Sequence, residues 1–72
     1  ARFIHVHENQ PGMLNRVNQL FSGRGVNIGA QYLQTDPEIG YVVIDIDDAM
    51  VDAEELLQEL RALPGTVRAR LL

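Results

Sequence analysis

Stretches with strand and helix character follow one another along this 72-residue chain in the order βαββαβ, which predicts an α+β fold. Three observations carry that expectation: period-two alternation in three segments with a fourth that is β-compatible, two amphipathic stripes spaced by three and four, and glycine or proline signals between them. Two helices with one apolar stripe each can be covered together on one face of a four-stranded antiparallel sheet. The expected architecture is therefore a ferredoxin-like sandwich in a single domain spanning 1–72.

From Arg2 to His7, Ile4 and Val6 fall on one side and Phe3, His5 and His7 on the other, the pattern of a half-buried strand with one apolar face. Glu8-Asn9-Gln10-Pro11-Gly12 breaks the alternation, and a proline near a helix start loses nothing because its N–H would have been unpaired there. Met13, Leu14, Val17, Leu20 and Phe21 then form a helical stripe that Gly23 and Gly25 stop. Val26 to Thr35 is β-compatible, and Gly29 within it marks a bulge or a close backbone approach, as expected of an edge strand. Asp36-Pro37-Glu38 with Gly40 reads as a turn. Tyr41 to Asp47 sets Val42, Ile44 and Ile46 opposite Val43, Asp45 and Asp47, completing a hairpin. A second helix starts between Asp48 and Asp52, with Asp52 and Glu55 spaced as a capping-box variant. Its stripe is Ala53, Leu56, Leu57, Leu60 and Leu63, and Pro64-Gly65 ends it before Val67, Ala69 and Leu71 alternate with Arg68 and Arg70. In this topology strands two and four lie at the sheet edges, and pairing of strand two with its twin is the expected route to self-association.

Composition narrows the function classes. Hydrophobic residues at 46% and charged residues at 22% fit neither a disordered tail nor a membrane span. Six arginines and no lysine against ten carboxylates give a net charge of -4, which offers no basic field to a phosphate backbone, so no nucleic-acid partner is expected. With no cysteine, the small core lacks a disulfide staple and a thiolate metal site, pointing to a homo-oligomer or a piece of something larger. The first residues carry no signal or transit pattern, making the cytoplasm the expected compartment.

The candidate site is the turn after strand one. His7 and Asn9 flank the bend into a helix whose first N–H groups and dipole favour an anion such as a carboxylate. His7 can donate to an oxygen, Asn9 offers both donor and acceptor, and Asn27 repeats that offer at the start of the edge strand. The same residues also fit a helix cap at Asn9, a turn residue at Asn27 and a solvated strand end at His7.

Other readings, a dimerisation module without a ligand among them, find less support. An RNA-recognition motif shares this topology but stacks bases on central-strand aromatics, and here Tyr41 is followed on its face by Val43, Asp45 and Asp47. His5, His7 and Glu8 lack a further ligand at metal spacing. Gly23-Arg24-Gly25 ends a helix, whereas a dinucleotide loop opens one. Asp45, Asp47 and Asp48 read as a solvated strand end. Arg68 and Arg70 point outward toward acidic groups or a neighbouring chain, with their role open.

The segments His5-Val6-His7-Glu8-Asn9-Gln10-Pro11-Gly12-Met13-Leu14, Gly25-Val26-Asn27-Ile28, Gln31-Tyr32-Leu33-Gln34-Thr35, Gly40-Tyr41-Val42-Val43-Ile44-Asp45 and the tail from Pro64 to Leu72 resemble the ACT regulatory domain that ends bacterial phosphoglycerate dehydrogenases. The resemblance covers essentially the whole chain. It implies a non-catalytic sensor that binds L-serine between two domains paired edge to edge, for feedback inhibition in serine biosynthesis. It also implies contacts from His7 and Asn9 of one copy and Asn27 of the other, with Pro11 and Gly12 shaping the pocket. No cofactor or metal is implied in this domain, NAD belonging to the catalytic part of the parent enzyme. Relatives often carry arginine where this chain has Gln10, so a charge that would help bind a carboxylate is missing here.

Overall fold

The computed structural model describes residues 1–47 and 52–72. Its elements are β1 (Arg2–Glu8), α1 (Met13–Gly23), β2 (Ile28–Thr35), β3 (Ile39–Ile46), α2 (Ala53–Ala62) and β4 (Thr66–Leu71). The strands form one antiparallel sheet in the order β2-β3-β1-β4, leaving β2 and β4 at the edges as expected. Both helices cover one face.

The core is built where the helical stripes meet the sheet: Val17 and Phe21 from α1, Leu56, Leu57 and Leu60 from α2, and Phe3, Val42, Ile44, Ile46 and Ala69 from the strands. Phe3 and Phe21 meet edge to face with ring centroids 5.5 Å apart, a geometry worth roughly 0.5–1.5 kcal/mol beyond the area it buries. At its N-terminus α2 is capped by Asp52, whose carboxylate accepts from the Glu55 N–H at 3.1 Å. The capping-box expectation thus holds; the part of the helix start that was expected between Asp48 and Val51 lies outside the described residues. Across the helix layer, Arg24 after α1 reaches Glu55 at 2.7 Å and also pairs with Glu59, tying the two helices together.

Four local expectations are corrected. In β1 the side packed against the helices carries Phe3, His5 and His7, while Ile4 and Val6 are half-buried on the open face of the sheet. His7 is 2% exposed, so it is not a solvated strand end. Gly40 belongs to β3 and not to the turn, which closes at Asp36–Ile39: the Asp36 carboxylate accepts from the Glu38 and Ile39 N–H groups at 2.8 and 2.7 Å. Those two donors hold the Asp36 carboxyl below its usual range. Finally, Val67 is 58% exposed, because the β1–β4 register shifts between Val6 and His7 and turns it out of the inward row. A second shift, between Ile28 and Ala30, is the bulge expected at Gly29.

Candidate functional site

The turn after β1 is anchored at its start by main-chain bonds. Glu8 donates its N–H to the Gly65 carbonyl at 2.8 Å and Asn9 donates its own to the Glu38 carbonyl at 2.9 Å. The Asn9 side chain adds a 2.7 Å bond from Nδ2 to the Asp36 carbonyl. Asn9 is therefore not the helix cap; that position falls to Gly12, whose φ of 83° lies in the left-handed region that glycine adopts without penalty. Pro11 and Gly12 are both exposed, and the space where a Gly12 side chain would stand is open. Gln10 is held by a 2.8 Å bond from its Nε2 to Glu8.

Beneath this turn lies a row of buried polar groups that alternation alone did not reveal. His5 and His7 are stacked with ring centroids 5.2 Å apart, and their Nδ1 atoms meet at 3.2 Å. His5 Nε2 lies 2.8 Å from the Thr66 hydroxyl, which donates to the Leu60 carbonyl at 2.9 Å. On the far side of His7, the ring rests against Gly40 so closely that a Cβ there would collide with Nε2. Burial depresses both imidazoles: His5 is pushed down to about 4, with repulsion from His7 as the second cause, and His7 moves the same way. Both rings are accordingly neutral near pH 7.

Asn27 is exposed and sits just before β2, at the opposite end of the sheet from His7. The register makes this explicit, since Ile28 pairs with Ile46 beside the start of β1, whereas Thr35 and His7 both pair with Gly40. One chain therefore brings together His7, Asn9, Pro11 and Gly12 and leaves Asn27 remote. Open grooves of about 420, 300 and 230 Å³ lie along β4, over the open sheet face and beside the hairpin, and none of the three is lined by the predicted site residues. The first of them includes Arg61, Arg68 and Arg70. Of the carboxylates near the end of β3, Asp45 is held by Arg2 in a fork of 2.7 and 3.0 Å, which keeps its carboxyl below the usual range; Asp47 is exposed, and Asp48 lies outside the described residues. No helix among the described residues is long and apolar enough to cross a membrane.

The sequence and its resemblance point to His7, Asn9, Pro11, Gly12 and Asn27 and give no part in this site to His5, Thr66 and Gly40. The His-x-His spacing on one strand face was the available signal for His5. Thr66 lies 61 positions away from it, a separation that no local pattern spans.

The AHAS small subunit-like ACT domain family model matches residues 3–68. D-3-phosphoglycerate dehydrogenase of Escherichia coli strain K12 is 56% identical over 71 residues, covering 99% of this chain and 17% of that protein. Its counterpart in Haemophilus influenzae is 55% identical over 71 residues, again covering 99% of this chain and 17% of that protein. The chain thus spans about a sixth of the length of these curated relatives. Among solved structures, the ACT domain from GTP pyrophosphokinase of Chlorobium tepidum superposes with a TM-score of 0.86 at 25% identity, covering 100% of this chain and 95% of that one. ACT domains bind amino acids allosterically and are not themselves catalytic. The chain belongs to this family: it is an ACT regulatory domain, homologous to the C-terminal region of D-3-phosphoglycerate dehydrogenase.

Proposed function

We propose that this domain senses L-serine at the seam between two copies joined through β2, and that it does so for feedback inhibition of a phosphoglycerate dehydrogenase in serine biosynthesis. The observation that carries the proposal is the separation of Asn27 from His7 and Asn9 within one chain. Antiparallel pairing of β2 with its twin across a two-fold axis sets the start of one strand beside the end of the other. Asn27 of the second copy then faces the Thr35 end, where Asn9 already reaches across to the hairpin. Two equivalent sites form per pair, each incomplete without the neighbour. The edge is suited to this, because β2 is exposed from Gly29 to Thr35 and, among the described residues, has no strand on its outer side.

A ligand that touches both copies favours the paired state by its differential affinity, and that difference is the source of any allosteric effect. In the parent enzyme, joining the regulatory domains would restrict the relative motion of the catalytic parts, which hold NAD; this domain itself needs no cofactor or metal. A cytoplasmic location accompanies this function. Calorimetry of the 72-residue chain with serine, alanine and glycine tests it. Serine is expected to bind best, with alanine weaker by roughly 1–3 kcal/mol because a group meant for the hydroxyl is left unmet. A flat serine trace at millimolar ligand would falsify the assignment.

A further inference from the structure

We propose that Thr66 and His5 are positioning residues for His7: acting in series, they place its proton on Nδ1 and leave Nε2 bare, as a hydrogen-bond acceptor for the bound amino acid. The proposal deepens the serine-site reading and rests on it for the role of His7. It follows from counting protons along a row of contacts. Each short contact between two electronegative atoms needs one hydrogen between them. Thr66 has a single hydroxyl hydrogen, and the 2.9 Å contact with the Leu60 carbonyl takes it, since that carbonyl cannot donate. The 2.8 Å contact between Thr66 Oγ1 and His5 Nε2 must then be supplied by His5. Neutral His5 carries no second hydrogen, so its Nδ1 accepts, and the 3.2 Å contact with His7 Nδ1 is supplied by His7. Neutral His7 is left with Nε2 unprotonated, and among the described residues that atom has no hydrogen-bond partner.

The row starts at a fixed acceptor near the C-terminal end of α2 and finishes at the turn where the ligand is expected, so it transmits a direction as well as a position. Gly40 completes the arrangement by letting the Nε2 end of the His7 ring come close to β3, where any side chain would push it away. A consequence for recognition follows. The donor role first expected for His7 is reversed, and an amino acid must turn its ammonium or hydroxyl toward Nε2, with its carboxylate directed elsewhere. A ligand offering only acceptors at that point is rejected.

The proton positions are read directly by long-range proton–nitrogen NMR on the chain labelled with nitrogen-15 histidine at neutral pH. The expected result is opposite tautomers in adjacent rings: His5 protonated at Nε2 and His7 at Nδ1. His7 protonated at Nε2 overturns the proposal, whatever the chain binds. Thr66→Val removes the hydroxyl that accepts from His5 Nε2; it is expected to mix the His7 tautomers and to weaken serine binding roughly tenfold in calorimetry. Thr66→Ser is expected to restore both, which a general loss of packing would not explain. A folded Thr66→Val chain with parental tautomers and parental affinity also overturns the proposal; if that variant does not fold, the parent spectrum decides. Opposite tautomers in a parent chain that ignores serine support the proton placement and overturn only the choice of ligand.

Discussion

β1 and β2 run in the same direction in one sheet, yet they are completed in different ways. β1 lies between β3 and β4 with Phe3, His5 and His7 packed toward the helices, and every ring nitrogen in its row except His7 Nε2 is answered from within the chain. β2 has one neighbouring strand among the described residues, and Tyr32 and Leu33 stand 60% and 41% exposed along it. The strand that holds His7 is fully specified within the chain, while the strand expected to recruit a second copy is left unfinished. A sensor that reports ligand through association needs both conditions, since a site that was complete within one chain would give binding no leverage over pairing.

The contrast is broken most severely in the sealed region. Phe21→Ala empties a fully buried ring from the core and is expected to cost about 3–5 kcal/mol in denaturant unfolding, enough to unfold much of so small a domain. Next comes Gly40→Ala, for which about 1–3 kcal/mol of overpacking is expected, together with displaced His7 ring signals in NMR; unchanged His7 signals would remove Gly40 from the arrangement.

The pH dependence is smaller per unit and has a definite sign. His5 moves from an ordinary 6.5 down to about 4 on folding, and His7 moves in the same direction. Between those values the unfolded chain binds more protons, so this stability is fully present above pH 6.5 and is lost as pH falls toward 4. Unfolding curves taken across that range should show a slope approaching about 1.4 kcal/mol per pH unit from His5 alone. Asp36 and Asp45, both held below 3.8, contribute their losses at lower pH, so the two ranges are separable. A flat response from pH 7 to 5 would mean that the rings are not buried as neutral species.

The mildest change lies at the open edge. Asn27→Ala removes an exposed carboxamide and no core atom, so unfolding should shift by no more than about 0.5 kcal/mol while serine affinity drops roughly tenfold. Parental affinity in that variant would sharpen the comparison by excluding Asn27 from the seam.

Much of the architecture is legible in the sequence. The element order, the two edge strands, the Gly29 bulge and the Asp52 cap all follow from patterns within a few residues of one another. The inward face of β1 was not legible. Ile4 and Val6 compete with Phe3 for the role of apolar face, and a histidine counts as polar in any alternation, although burial makes it neutral. Gly40 looked like turn material because its neighbours Pro37 and Glu38 are; only the cross-strand pairing with His7 gives it a place in the sheet. Val67 shows the same limit from the other side, since a register shift in β4 exposes a residue that strict alternation would bury. For the site, residue types named His7 and Asn9 as able to bind, but which atoms are already occupied depends on partners far away in sequence, Asp36 for one and Thr66 through His5 for the other.

Asn9 grips the hairpin twice, through its main-chain N–H on Glu38 and its side chain on Asp36. The loop before α1 and the tip joining β2 to β3 are consequently clamped into one mechanical unit. Tension applied at the loop reaches the outer strand by this short bracket and need not pass through the packed interior.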